Sequence, residues 1–499
     1  MHPLGKSLAT GLISAAALFV VVEDWRGKRD WEAFLKEQTA KGESFDYRRL
    51  LPPPVPDEKN FAHIPQLRPL FDYERNGTRG INVQRTHRDP KANERALALL
   101  RIQSDQAPPA MDGWRHAETV SLTAYRDYLR TDKSLARPDK PGAPAADILF
   151  ALRRFDGEMD ALTKSAKQRP QARFDVNYAD HFAALLPHLG VLRNVARVYT
   201  LRALARLHTG DIAGAWADVD MLLFLSDSIG REPTLISHLV RIAIVELALQ
   251  PVWEGLATGR WTPVQLRAMQ ERLAAMDFLA HHRLAMLAER DFSNLMMEEF
   301  RTKDRKQMAA MLEAPGAGDA VLFQLAPEGW LRQNQLRYNR VHLDYIAPIV
   351  DVAKRRVYPD VAKEFGRRVA DSRRTPYTVM IHLLLPALGQ STKRSNAAQT
   401  AVDQAAIACA LERYRQANGK WPDTLAQLSP QWLAKVPQDL VSGQPMKFKA
   451  QPDGGYLLWA VGWNQKDDGG KPGVRREGNA TRNDFDSGDL VWRQPMAKR

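Results

Sequence analysis

The sequence predicts an α+β protein, mainly α: an N-terminal membrane-anchor helix, a body of helical hairpins, and a small C-terminal module of one helix on an antiparallel sheet. Three observations carry this reading. Residues 7–22 are apolar apart from small hydroxyls and follow one basic residue, Lys6. Between Ala145 and Gly389 apolar residues recur at spacings of three and four, as in Leu201, Leu204 and Leu207, the period of a helix with a buried face. From Ala401 a helical run leads into short strand-like runs, Met446–Lys449, Gly455–Gly462 and Asp489–Trp492, set apart by glycine and proline.

Size and composition narrow the possibilities. With 499 residues the chain is too long for one simple core. It divides into an anchor (1–22), an amphipathic helix with a proline-rich linker (23–61), an irregular wrapping segment (62–144), a helical-hairpin domain (145–395) and the C-terminal module (396–499). Hydrophobic residues make up 44% and charged residues 26%, the balance of a folded protein. The net charge of +13 comes without basic runs interleaved with aromatics, so nucleic acid is not an expected partner. An anionic partner, a membrane surface or a plain solvated basic surface each accounts for it. A single cysteine, Cys409, excludes an intrachain disulfide and a cysteine metal cluster.

The N-terminal run would span roughly 24 Å as a helix, short of the ~30 Å hydrocarbon core. An export signal or a short anchor fits. A cleavable signal places small residues after the apolar run, whereas Val20-Val21-Val22 leads directly into Glu23-Asp24-Trp25. The expectation is an uncleaved, single-pass anchor in the inner membrane through residues 7–22, with the bulk of the chain periplasmic. Trp25 and Trp31 suit the interface beyond it. Trp31, Phe34 and Leu35 then form a short apolar face, and Leu51-Pro52-Pro53-Pro54-Val55-Pro56 ends that helix as a stiff extended spacer.

Asp24-Trp25-Arg26-Gly27, Lys41-Gly42-Glu43, Pro52-Pro53-Pro54-Val55-Pro56-Asp57 and Asn60-Phe61 resemble the start of a family of uncharacterised proteins of Verrucomicrobia-like bacteria. Over about forty residues, the resemblance implies one N-terminal membrane segment and a large helical body, with no known activity.

In the helical domain, Thr209-Gly210-Asp211 stops one helix and caps the next. Thr262-Pro263-Val264-Gln265 opens another with a capping box and a first-turn proline. Leu235–Leu249 is too short and too charged, with His238, Arg241 and Glu246, to cross a membrane, and reads as a buried helix interrupted at Pro251. The unit from Ala205 to Trp216 resembles one tetratricopeptide-type hairpin. Stacked hairpins of that kind present a groove to a partner.

No G-x-S-x-G, phosphate-binding loop or dinucleotide fingerprint occurs, and no catalytic residue is assigned. His281-His282, near Glu289 and Asp291, is the most metal-like cluster, but adjacent helical residues face different ways and the pair reads as solvated. His181 and His188 read as core. The acidic, glycine-rich stretches around Asp467-Asp468 and Asn483–Asp489 could wrap a hard cation.

Ala410 to Pro422, Val436-Pro437-Gln438-Asp439, Gly443-Gln444-Pro445, Tyr456, Asp467-Asp468-Gly469-Gly470 and Asp489-Leu490-Val491-Trp492 are similar to the globular end of type II secretion major pseudopilins. The resemblance covers about ninety residues. It implies a calcium ion at the sheet edge, with Asp467 or Asp468 and Asp484 or Asp486 as ligands. Here the loop is longer, with Lys471, Arg475 and Arg476 inserted, and the pilin methylation signal with its glutamate is absent. The expected role is a non-enzymatic, membrane-anchored envelope scaffold that binds protein partners. The alternative is an extracytoplasmic hydrolase whose site is assembled among the helices.

Overall fold

The computed structural model describes residues 3–76, 83–302, 326–477 and 480–495; Met1 and His2 of the expected anchor lie outside them. In chain order the first elements are α1 (Pro3–Ala40), the ribbon β1 (Tyr73–Asn76) and β2 (Gln84–His87), α2 (Pro90–Leu97), α3 (Leu122–Leu129), α4 (Pro144–Leu152) and α5 (Asp156–Gln168). Then come α6 (Pro187–Thr209), α7 (Ile212–Ser228), α8 (Leu235–Ala257), α9 (Pro263–Ala274), α10 (Phe278–Thr302) and α11 (Glu328–Val341). A ribbon of β3 (Val350–Asp351) and β4 (Arg356–Val357) precedes α12 (Pro359–Asp371), α13 (Val379–Leu384) and α14 (Pro386–Asn418). The chain ends with β5 (Lys447–Ala450), β6 (Tyr456–Ala460), β7 (Pro472–Glu477), β8 (Ala480–Gly488) and β9 (Leu490–Gln494). The protein is mainly helical with small antiparallel sheets.

Two compact units form, each from separated stretches. One holds Met1–Leu50, Met286–Val350 and Asp360–Gln390; the other holds Leu51–Ala285, Asp351–Pro359 and Ser391–Arg499. In the first unit α1 is one unbroken helix of 38 residues. Its Trp31 and Phe34 pack on Leu336 of α11, which is the apolar face expected for the helix after the anchor. Gly27 and Gly329 let these helices touch: a Cβ on Gly329 would lie 1.9 Å from the Glu23 carbonyl oxygen.

The second unit is built on α6, α7 and α8, which pack on one another around one core. Gly210 ends α6 in the left-handed region (φ 87°), and the Asp211 side chain accepts from Gly214 N to cap α7. The capping box at Thr262 and Gln265 forms as the spacing requires. The break expected at Pro251 does not occur: α8 runs on to Ala257 with Pro251 inside it. Proline removes the donor that the Leu247 carbonyl would have used; the Thr200 hydroxyl of α6 lies 3.4 Å from that carbonyl but donates to the Ala196 carbonyl at 2.9 Å. Among the described residues α8 is the one helix long and apolar enough by composition to cross a membrane, and most of it is buried in this core.

The C-terminal sheet has the order β5-β6-β9, all antiparallel, with Leu458 facing Trp492 across the centre. Strand alternation sends Tyr456, Leu458 and Ala460 to the same side, where they join α14 in the core. Between Ala398 and Leu411 the apolar residues of α14 are buried all around the helix. Apolar residues on every side mark a central helix.

Candidate functional site

A groove of about 800 Å³ opens on the second unit, within the size range of ligand sites. One wall is α7. Trp216, Asp220, Phe224 and Asp227 recur there every three or four residues, so one helical face supplies them all. Thr163, Ala166 and Lys167 of α5 form the second wall, and Pro52-Pro53-Pro54-Val55 the third. The proline run, expected as a spacer, thus lies along the body with Pro52 buried.

Local chemistry fixes this wall. Phe61 N donates to the Gln171 carbonyl at 2.7 Å and Gln171 N to the Lys59 carbonyl at 3.2 Å. Asn60 then clamps Arg173 by donating to its carbonyl and accepting from its amide, both at 2.9 Å. Phe61 stacks edge-on to Phe224 at 4.9 Å, tying the proline-rich stretch to α7.

The groove's carboxylates are already engaged. Arg272 reaches Asp220 at 3.0 Å and Asp227 at 3.5 Å, and Arg241 reaches Asp227 at 3.4 Å. At the rim, Lys167 and Arg231 are exposed. The groove therefore offers an apolar floor with cationic edges and no free acid–base pair.

A second constellation lies in the core. His281 and His282, expected to be solvated, are buried at 3% and 2% exposure. Each packs beside His238 of α8, with ring centroids 4.8 and 5.6 Å away. Ser395 Oγ lies 2.7 Å from His238 Nε2 and 3.2 Å from His282 Nδ1, distances a nucleophile and base would show. The proton count excludes that role. Ser395 donates its single hydroxyl proton to the Ser391 carbonyl at 2.8 Å, so both imidazoles must donate to its oxygen. His282 Nε2 then accepts from Thr392, and His281 Nε2 donates to the Glu232 carbonyl. Burial lowers the pKa of His238 far below the usual histidine value, that of His281 to about 3 and that of His282 to about 4. Burial therefore favours the neutral form of these histidines, and their hydrogen bonds run to partners within the core. His188 is core, as expected, and pairs with Glu232 at 2.8 Å; His181 is buried too.

The candidate acidic residues of the C-terminal module lie in two segments, the loop after β6 and the strand β8. Asp467, in the loop after β6, accepts from Lys447, from Trp459 Nε1 at 3.0 Å and from Gly469 N at 3.1 Å; the lysine contact leads in lowering its pKa to about 2. Asp468 accepts from Asn464 Nδ2 at 2.7 Å. On β8, Asp484 holds Ser487 and the Asp486 amide, and Asp486 pairs with Lys393. Among the described residues no three His, Cys, Asp or Glu side chains converge as a metal cage.

The sequence reading included Asp489 at the end of the acidic stretch Asn483–Asp489 but not among the ligand candidates. Its Oδ2 accepts from Gly470 N at 2.8 Å, while its Oδ1 is buried without a partner. Burial first, then the charges of Asp467 and Asp468, raise its pKa. That Oδ1 and the nearby charges of Asp467 and Asp468 come nearest to a cation donor set, yet the three carboxylates do not converge as a cage.

No known family, curated protein or solved structure matches this chain.

Proposed function

We propose that the chain is a non-enzymatic, membrane-anchored envelope scaffold that binds a protein partner in the groove of its second unit. One observation carries the reading: the groove is open, floored by Trp216, Met221 and Phe224, and both its acids are tied to arginines. A hydrolase would need an acid or base left free to meet substrate. An extended segment with an acidic residue suits the apolar floor and the cationic rim at Lys167 and Arg231.

The anchor supports a membrane location. Leu12, Ile13 and Leu18 of α1 are exposed at 67%, 69% and 65%, a surface water disfavours and lipid accepts. Side chains before Gly11 are not described. Export to the periplasm remains the proposed orientation. The reverse orientation has its own support: Arg26, Lys28, Arg29, Lys36 and Lys41 follow the apolar run, while only Lys6 precedes it, and such excess favours the cytoplasmic side. Protease accessibility in sealed vesicles separates the two.

In the C-terminal module, a helix on a pseudopilin-like sheet, calcium would have to draw Asp467, Asp468 and Asp489 together, ordering the loop after β6. Lys447 would have to yield part of its hold on Asp467.

Pull-down of the full chain from detergent-solubilised membranes tests the function. A partner should be retained by the native chain and lost on Trp216→Ala with Arg231→Glu. A partner retained equally by both would overturn the groove assignment.

A further inference from the structure

The exposed apolar stretch of α1 ends at a ring of aromatic and basic side chains in the first unit, and nothing in the groove reading uses it. Phe19 meets Trp330 of α11 edge-on at 6.3 Å, and Trp330 meets Tyr377 at 6.0 Å. One turn beyond Val21, Trp25 stands 62% exposed with the Arg29 guanidinium 4.7 Å from its ring. Arg26 and Arg337 both lie over Tyr377, at 5.4 and 5.7 Å. Arg373 and Arg374 are exposed in the loop that carries Tyr377, and no described acid pairs with either.

Four of the acids nearby are already engaged; Asp371, two residues before Arg373, is exposed. Glu23 is buried between Arg26 and the Tyr377 hydroxyl, both at 3.0 Å. Asp24 accepts from Gly329 N at 2.7 Å. Asp30 takes Arg29 and, at 2.8 Å, Gln333. Glu328 is paired with Arg301 at 3.1 Å. Arg337, Arg373 and Arg374 are exposed where the helix passes from apolar exposure to protein packing.

We propose that this ring is a collar that sits in the headgroup layer and binds anionic phospholipid headgroups. Tryptophan and tyrosine belong at that depth, and arginines beside an anionic surface add attraction that salt screens. The collar rests on the anchor reading above and adds a lipid preference and a depth. It also explains why Trp25 and Arg29 stack in the open: a ring at the interface has one apolar and one wet side.

The test uses the full chain reconstituted into phosphatidylcholine vesicles with or without 30% phosphatidylglycerol. Flotation reads membrane association, and bromines placed shallow or deep on the acyl chains read tryptophan depth by quenching. Association should be stronger with phosphatidylglycerol and weaken as salt rises. Arg373→Gln with Arg374→Gln, two exposed positions, should lose about 25-fold of that preference. Shallow bromines should quench more than deep ones, and Trp25→Phe should remove part of that quenching. Vesicle association with neither lipid preference nor shallow quenching overturns the collar and leaves the anchor intact. No association with either vesicle overturns the anchor reading and the collar with it.

Discussion

Thr200 lies where proline has orphaned a carbonyl on the next helix: its hydroxyl donates to the Ala196 carbonyl at 2.9 Å and stands 3.4 Å from that of Leu247. Thr200→Val keeps the shape and removes the donor, so it should cost about 1–2 kcal/mol in denaturant unfolding; no change would mean the carbonyl is served otherwise. Helix-breaking rules place an interruption at Pro251 because they count only the donor that is lost, and no local pattern shows that α6 and α7 pack against α8. The buried histidines teach the same lesson. Adjacent helical residues do point apart, but α8 and α14 bury both His281 and His282. Their pKa values fall by burial to about 3 and about 4, below the ordinary value near 6.5. The unfolded chain therefore binds more protons between those limits, and these groups withdraw stability as pH falls from about 6.5 toward 4. Asp403, raised by burial to about 6 despite Arg355, acts in the opposite sense, losing stability as pH rises through that value. A melting-temperature series should thus show a flatter acid limb for His282→Gln than for the native chain. An unchanged limb would remove the histidines from the account.

Elements were legible where a short-range pattern fixed them. Gly210 and Asp211 mark the α6–α7 junction, Thr262 and Gln265 open α9, and the alternation of Tyr456, Leu458 and Ala460 forecasts a strand with one buried side. The proline run was legible as extended chain, yet its place along α5 and α7 depends on Asn60 clamping Arg173 from 113 residues away. That separation also hid the groove. Asp489 escaped for a related reason: only folding shows that one of its oxygens has no donor. If calcium occupies that place, millimolar calcium should raise the melting temperature of the native chain and not of Asp489→Asn; no shift in the native chain would remove the metal. Where α1 crosses α11, Gly329→Ala would drive a methyl into the Glu23 carbonyl. It should destabilise the first unit by about 1–3 kcal/mol, read as faster hydrogen exchange in α1 and α11. Exchange unchanged from the native chain would mean the helices do not touch there.

At the scale of the whole chain, two units are stitched from separated stretches, and only the first contains α1. Boundaries drawn from composition cannot reveal such interleaving, because a contiguous reading assigns each stretch to its sequence neighbours. As proposed, anchor, collar and groove would divide the labour, the first unit meeting lipid and the second a partner. Everything in that division depends on α1 entering the bilayer. The direct measurement is alkaline carbonate extraction of membranes from cells producing the full chain, beside Leu12→Lys with Leu18→Glu. The account predicts that the native chain stays in the membrane pellet and that the charged variant is released. A native chain recovered in the supernatant would contradict it.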